Sequence, residues 1–555
     1  MNATPATRTG GQILIDQLVA QGVERLACVP GESYLAALDA LHDAPIDVMV
    51  CRQEGGAAIM AEAYGKLTGR PGICFVTRGP GASNAMPGLH IAAQDSTPMI
   101  LFAGQVGRDM RDREAFQEID FRAVFGSIAK WVVEVDDPAR LPEFVARAFR
   151  VAMQGRPGPV VVALPEDMLT QTAAVADAPR VEPAEIWPSP DALVRFGAML
   201  AAAERPIAIL GGSGWTAGAC AAFARFAERH DLPVGTSFRR TDRFPADHAN
   251  FVGDVGIGPN PVLSARIKAA DLVLLLGGRL SEMPSSSYTL LDVPVPRQKL
   301  VHVHPGAEEL GRVYQPALAI QATPSAFCAA LDLAGGAPAP RAGSDTEALR
   351  ASYIAWSEVP KPIPGAFQYG EAVAWLRGRL PPDAIICNGA GNYAGWLHRY
   401  YRFRQFGTQL APHCGSMGYG VPSAILAKRQ HPGRIVVAFA GDGCFLMNGQ
   451  EFATAVQYGI PVIVVVIDNG MYGTIRMHQE THYPGRVTAT PLKNPDFAAY
   501  ARAFGGHGER VERTEEFAPA FERALASGQP AILHCFLDPQ AISPAKILDE
   551  LGRAS

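Results

Sequence analysis

A short apolar run at 435–440 (IVVAFA) ends in Gly441-Asp442-Gly443, and a second at 460–467 (IPVIVVVI) ends in Asp468-Asn469-Gly470. Runs of this length, bounded by turn residues, read as buried strands of a parallel sheet. The stretch 448–458 between them has helical character. The result is a strand–loop–helix–strand unit with Asp442 and Asn469 just past strand C-termini, where α/β sheets bind ligands. Asp442 can offer a carboxylate oxygen and Asn469 an amide oxygen. Mg²⁺ takes about six hard oxygens, shared between protein, phosphates and water. Glycines let backbone approach phosphate closely. Gly-Asp-Gly alone is more often a plain turn between strand and helix. The downstream Asn in matching context points instead to a clamp for a magnesium-bound diphosphate.

With 555 residues the chain exceeds what one core supports, and about three domains are expected. Over 8–175, helices at 12–21, 34–42 and 55–68 alternate with strands at 25–29, 47–51 and 72–77, and further strands follow at 99–103 and 159–164. That alternation implies a mainly parallel sheet covered on both faces. A polar, proline-bearing connection occupies 165–188. A second α/β unit spans 190–335. Its strand 206–210 enters Gly211-Gly212-Ser213-Gly214, strand 272–276 enters Gly277-Gly278-Arg279, and another strand lies at 300–303. After a Gly- and Ala-rich linker at 335–344, a third unit at 365–540 carries the Asp442 motif and is organised like the first.

Bulk properties narrow the partners. Net charge is −5 without a basic cluster, which argues against nucleic acid and anionic membrane. The nine cysteines are scattered without CxxC pairs. This disfavours a zinc site or disulfide framework and fits a reducing cytoplasm. The N-terminal segment has no apolar signal core, and no run reaches membrane length.

The spacing of Gly441-Asp442-Gly443 and Asn469 resembles the diphosphate motif of thiamine diphosphate-dependent enzymes. Gly415-Ser416-Met417-Gly418-Tyr419-Gly420 and Asn448-Gly449-Gln450-Glu451-Phe452-Ala453-Thr454-Ala455 are similar to the acetolactate synthase large-subunit branch, and the likeness covers nearly the whole chain. It implies an α/β fold of three domains, each a mainly parallel sheet flanked by helices: a pyrimidine-binding domain (8–175), a central Rossmann-like domain (190–335) and a diphosphate-binding domain (365–540).

The resemblance also implies roles. Glu54, in Cys51-Arg52-Gln53-Glu54-Gly55-Gly56, would hydrogen-bond the aminopyrimidine ring and so help the coenzyme lose its reactive carbon-bound proton. On position alone, Glu54 reads rather as a helix-start carboxylate. Met417 would wedge under the coenzyme and enforce its bent shape; its bland reading is a core methionine. Asp442, Asn469 and the carbonyl of Met471 would hold Mg²⁺. Gly415, Gly443 and Cys444 would contact the coenzyme, as would Gly391 and Asn392, which stand where the family usually has Gln-His. Phe116 and Gln117 would line the substrate channel. Thr77-Arg78-Gly79-Pro80-Gly81-Ala82-Ser83-Asn84 resembles the family's TSGPGATN turn, with Arg78 replacing a small residue.

Some positions depart from that branch. Glu32 brings a carboxylate close to the expected active site, His413 and Cys414 replace small residues, and His478 stands where a Trp is frequent. Glu32, His413 and His478 are therefore counted with the substrate pocket, and His413 as a proton relay. His304 stands where an acidic residue is expected, so FAD in the central domain stays open. The function expected is decarboxylation of a 2-keto acid such as pyruvate and carboligation to a second carbonyl. The alternatives are a decarboxylase or aldehyde lyase acting on another substrate, and a non-catalytic nucleotide-binding protein. Active sites at the interface of a homodimer or homotetramer are implied, and a regulatory subunit stays open.

Overall fold

The computed structural model describes residues 6–334 and 343–553, so most of the expected 335–344 linker lies outside the described residues. The chain divides into two compact units. One runs through Ala184 and adds Ile425–Gln430 and Asn448–Tyr458; the other takes Glu185–Ala424, His431–Met447 and the chain from Gly459 onward.

The first unit is built on a six-stranded parallel sheet in the order Asp47–Val50, Arg25–Cys28, Gly72–Val76, Met99–Gln105, Pro159–Pro165, Trp131–Glu134. Its central strands are buried throughout, as a parallel sheet covered on both faces requires. One face packs Phe75, Phe102, Val160 and Val162 against Ile13, Leu14 and Leu18 of helix Gly10–Ala20 and Val145 and Phe149 of helix Leu141–Met153. The connection after Pro165 is more ordered than its composition suggests: a helix Glu166–Thr170 precedes a strand Thr172–Ala174, which pairs antiparallel with Thr7–Thr9.

The second unit carries two six-stranded parallel sheets. One has the order Phe251–Val255, Val234–Ser237, Pro206–Leu210, Leu272–Leu276, Lys299–His304, Leu318–Gln321. Numbered along the chain this is 3-2-1-4-5-6, the doubly wound order, with its switch point between Pro206–Leu210 and Leu272–Leu276. The other has the order Gln409–Leu410, Ile385–Asn388, Val436–Gly441, Ile463–Asp468, Ala531–Phe536, His507–Val511. Numbered the same way, this sheet and the first unit's sheet both read 2-1-3-4-6-5. The likeness of organisation expected between the first and third segments is therefore a likeness of topology.

Two expected turns are helical. Asp442 opens a helix, Asp442–Asn448, directly after the strand ending at Gly441. The segment after Arg78 is a short helix, Gly79–Asn84, with Pro80 in its first turn, where a missing N–H costs nothing.

Candidate active site

In the second unit, the ends of strands Ile385–Asn388, Val436–Gly441 and Ile463–Asp468 open onto one cavity of about 230 Å³. Gly391, Asn392, Gly415, Met417, Asp442, Gly443, Cys444, Asn469 and Met471 all line it. So do Tyr393, Trp396, Tyr472 and Thr474, which the sequence did not single out.

Local geometry explains the sequence here. A Cβ on Gly443 would lie 2.6 Å from the Tyr472 ring, so the glycine is required by a packed aromatic as well as by ligand access. Gly415 and Gly418 have φ of 72° and 80°, a left-handed backbone that glycine adopts at least cost, and they bracket the half-buried Met417. Behind that loop, Cys444 Sγ accepts the Gly418 N–H at 3.2 Å and lies 3.4 Å from the Tyr393 hydroxyl. Asn392 lines the cavity, but its amide is engaged by the protein. Nδ2 donates to the Ile542 carbonyl (2.9 Å) and to Met477 Sδ (3.5 Å), and Oδ1 accepts the Thr474 hydroxyl at 3.0 Å. Asn392 thus braces its loop against helix Gly473–His482, and its backbone N–H is likewise taken by the Thr474 hydroxyl at 3.1 Å.

Asp442 is buried, at 3% exposure, and burial pushes its carboxyl up to about 6 against the hydrogen bond from Asn494. A carboxylate held this way gains from a cation beside it. Asp442, Asn469 and Met471 line the cavity together, and a carboxylate, an amide oxygen and a backbone carbonyl are the kinds of donor that Mg²⁺ takes. Among the described residues, no group of three His, Cys, Asp or Glu side chains could hold a metal. Asn494 Nδ2 donates to Asp442 Oδ2 (2.7 Å) and to Asp468 Oδ1 (2.8 Å). Burial raises the Asp468 carboxyl, but hydrogen bonds from His534, the Gly470 N–H and Asn494 outweigh it and hold it below its ordinary range.

The two remaining histidines have other surroundings. The His413 ring lies 3.0 Å from Ser281 Oγ through Nε2 and 3.2 Å from the Phe238 carbonyl through Nδ1. His478 is exposed on helix Gly473–His482 and stacks on His482 with centroids 6.1 Å apart. Neither lines the cavity. Arg239, unmarked in the sequence, donates to the Pro412 carbonyl (2.5 Å) and the Gly389 carbonyl (2.9 Å), tying down two loops next to the cavity.

In the first unit, Glu54 is the first residue of helix Glu54–Thr68. The capping is done by Gln53, whose side chain accepts the Gly55 and Gly56 N–H groups at 2.6 and 3.2 Å. The Glu54 carboxylate is left to another partner: Asn84 donates to Oε2 at 3.0 Å. The loop before it is held by Glu451, fully buried, whose Oε1 accepts the Arg52 and Gln53 N–H groups at 3.0 Å each. Phe116 is 74% exposed, and the neighbouring Gln117 has φ 65° with its carbonyl accepting the Gly79 N–H at 2.9 Å. Glu32 is exposed in a one-turn helix, Glu32–Tyr34, and Arg78 forms an ion pair with Glu166.

A cavity at strand C-termini lined by Asp442 and Asn469, in a chain with two sheets of the same topology, is where α/β enzymes bind ligands. Three family models match in order: the thiamine pyrophosphate enzyme N-terminal TPP binding domain at 8–124, the central domain at 195–331 and the C-terminal TPP binding domain at 389–535. The acetolactate synthase large subunit of Parasynechococcus marenigrum is 32% identical over 95% of this chain and 87% of its own length. The acetolactate synthase isozyme 2 large subunit of Escherichia coli is 30% identical over 98% of this chain and 100% of its own, and the acetolactate synthase of Bacillus subtilis is 28% identical over 95% and 93%. The chain belongs to the thiamine pyrophosphate-dependent enzyme family, in the group that includes the acetolactate synthase large subunits. Among the described residues no helix is long and apolar enough to cross a membrane.

Proposed function

We propose that this enzyme decarboxylates a 2-keto acid, with pyruvate as the first candidate, and joins the remaining fragment to a second carbonyl compound, using thiamine diphosphate and Mg²⁺. The observation that carries the reading is the convergence of Asp442, Asn469, Met471, Gly391, Gly415 and Met417 on one cavity.

When bound, thiamine diphosphate supplies an electron sink for the pair released with CO₂. The Asp442 carboxylate, the Asn469 amide oxygen and the Met471 carbonyl would hold the cation. The first N–H groups of helix Asp442–Asn448 have no carbonyl partner within the helix, and that of Cys444 suits a phosphate oxygen. Met417, held between two left-handed glycines, offers an apolar support for the coenzyme. With Oε2 of Glu54 taken by Asn84, Oε1 would be the oxygen left to hydrogen-bond the aminopyrimidine and hold a proton there. Phe116 and Gln117 would contact substrate, with Glu32 close by. The apolar lining must exclude water so that ligation competes with simple protonation.

Flavin does not fit this chain as well. At the central switch point, a Cβ on Gly212 would lie 1.8 Å from the Gly277 carbonyl, so the two loops are in backbone contact. The buried His304 accepts the Gly306 N–H at 3.0 Å through Nδ1 and offers no carboxylate to a ribose. We assign the central domain the role of a scaffold that presents Arg239 to the Gly389 and Pro412 carbonyls, and no step passes through flavin. A homodimer or homotetramer with active sites completed across subunits is part of the same reading.

NMR analysis of products from pyruvate, thiamine diphosphate and Mg²⁺ tests it. Coenzyme-dependent acetolactate supports the reading. A free aldehyde favours the decarboxylase or lyase alternative, for which the carboxylate of Glu32 is the motivating feature.

A further inference from the structure

Asn494 lies in the 492–496 stretch, tethered where the Leu492 N–H meets the Gly470 carbonyl at 2.8 Å. Its Nδ2 is within 2.7 Å of Asp442 Oδ2 and 2.8 Å of Asp468 Oδ1. Both partners are carboxylate oxygens that only accept, so the atom between them is the donor end of the amide and its orientation is fixed by chemistry. With both amide hydrogens committed, Oδ1 is buried and has no protein partner. A buried acceptor without a donor is costly, and native structures rarely keep one unless something outside the chain completes it.

The network continues beyond Asp468. Its Oδ1 also accepts the Gly470 N–H at 2.9 Å, and its Oδ2 lies 2.9 Å from His534 Nε2. His534 Nδ1 accepts the Phe497 N–H at 3.2 Å, so the proton sits on Nε2 and the ring donates to Asp468. Asp468 is thereby fixed on one side by the imidazole and on the other by the amide. Asn494 bridges from that chain to Asp442, which also lies against Asp468 itself.

We propose that Asn494 is a positioning residue for the cation site: its Nδ2 holds Asp442 by Oδ2 and so fixes the carboxylate that faces the cavity, while its own buried Oδ1 is left to a donor from outside the chain. This inference rests on the cation–diphosphate reading above. It differs from that reading in naming a residue that is not itself a cation ligand and in predicting how strongly the ion is held. Removing a hydrogen-bond partner that orients a ligand typically weakens metal affinity about 10–100-fold.

The test is a titration of the full-length protein with Mn²⁺ at saturating thiamine diphosphate, free ion being counted by its EPR signal, with thermal unfolding measured in parallel. Asn494→Ala should raise the Mn²⁺ dissociation constant by about 10–100-fold. Asn494→Ser, which keeps one donor, should fall between the alanine variant and the wild type, and it carries the test if the alanine variant does not fold. A folded Asn494→Ala or Asn494→Ser protein with wild-type Mn²⁺ affinity overturns the proposal and makes Asn494 a loop brace only. A wild type that holds no Mn²⁺ even with thiamine diphosphate overturns the cation reading itself, so the two failures are distinguishable.

Discussion

Glu451 Oε1 lies 3.0 Å from the backbone nitrogen of Gln53, the residue that precedes Glu54 and caps its helix. The same oxygen accepts the Arg52 N–H, and Thr454 donates to Oε2 at 2.6 Å. Burial raises the Glu451 carboxyl, and these donors work against that. Gly56 leaves room for the arrangement, since a Cβ there would lie 2.6 Å from Glu451 Oε1. Replacing Glu451 by Ala leaves two part-buried N–H groups unmet at the turn that aims Glu54. The expected loss is about 2–4 kcal/mol of stability, with a drop in turnover that persists at saturating coenzyme. Urea denaturation and steady-state kinetics check both.

Glu54→Gln keeps the shape of the side chain and its bond to Asn84 while removing the proton-accepting oxygen. Turnover should fall by about 10²–10⁴-fold, while coenzyme affinity stays within a few-fold. The affinity is read from quenching of Trp396, which lines the cavity. Wild-type turnover in this variant removes Glu54 from the chemistry.

Gly443→Ala places a methyl group 2.6 Å from the Tyr472 ring, at the first turn of the helix that Asp442 opens. Either the ring or the helix start must move, at a cost of about 1–3 kcal/mol. Both line the cavity, so calorimetry should find weakened binding of the coenzyme–Mg²⁺ pair. Gly443→Ala,Tyr472→Leu should recover part of that binding by clearing the space.

Much of this was legible in the sequence because apolar runs and glycine motifs announce themselves locally. Residues 435–440 and 460–467 are strands for the reason they look like strands, and the residues around Gly391, Met417, Asp442 and Asn469 meet because each sits at or near a strand end. The strands Trp131–Glu134 and His507–Val511 were missed. They lie at sheet edges, where one side meets solvent and the apolar signal is diluted, as in HGERV. Asn494 and Arg239 were missed, and Glu451 and Asn84 stood in family-like segments without a role of their own, for a different reason. Each acts on a backbone or carboxylate group far away in sequence, and a single polar residue has no periodicity to mark it. The Asp442 helix was expected as a loop because Gly-Asp-Gly reads as a turn, whereas the carboxylate at a helix start suits the macrodipole.

His413 was expected to relay protons. Its ring lies between Ser281 Oγ and the Phe238 carbonyl, edge-on to the Phe238 ring at 5.7 Å. A bracing role predicts that Ser281→Ala and His413→Ala each cost about 0.5–1.5 kcal/mol and that their effects do not add in a double-mutant cycle. It also predicts that the pH profile of turnover keeps its shape in His413→Ala. A lost or shifted limb in that profile would restore the relay.

Asp254 lies on the edge strand Phe251–Val255 of the central sheet, and burial pushes its carboxyl up to about 7, the hydrogen bond from its own backbone N–H offsetting only part of this. The sign follows from linkage. The folded state prefers the protonated acid, while the unfolded chain releases that proton near its ordinary, much lower value. As pH rises between those two values the unfolded state is favoured, and above about 7 the penalty is complete. Asp254→Asn removes the ionisation altogether. It should therefore stabilise the protein more at about pH 8 than at about pH 5, flattening this part of the stability–pH curve. Chemical denaturation at the two pH values decides the matter, and an equal effect at both would mean that Asp254 ionises as readily in the folded protein as in the unfolded chain.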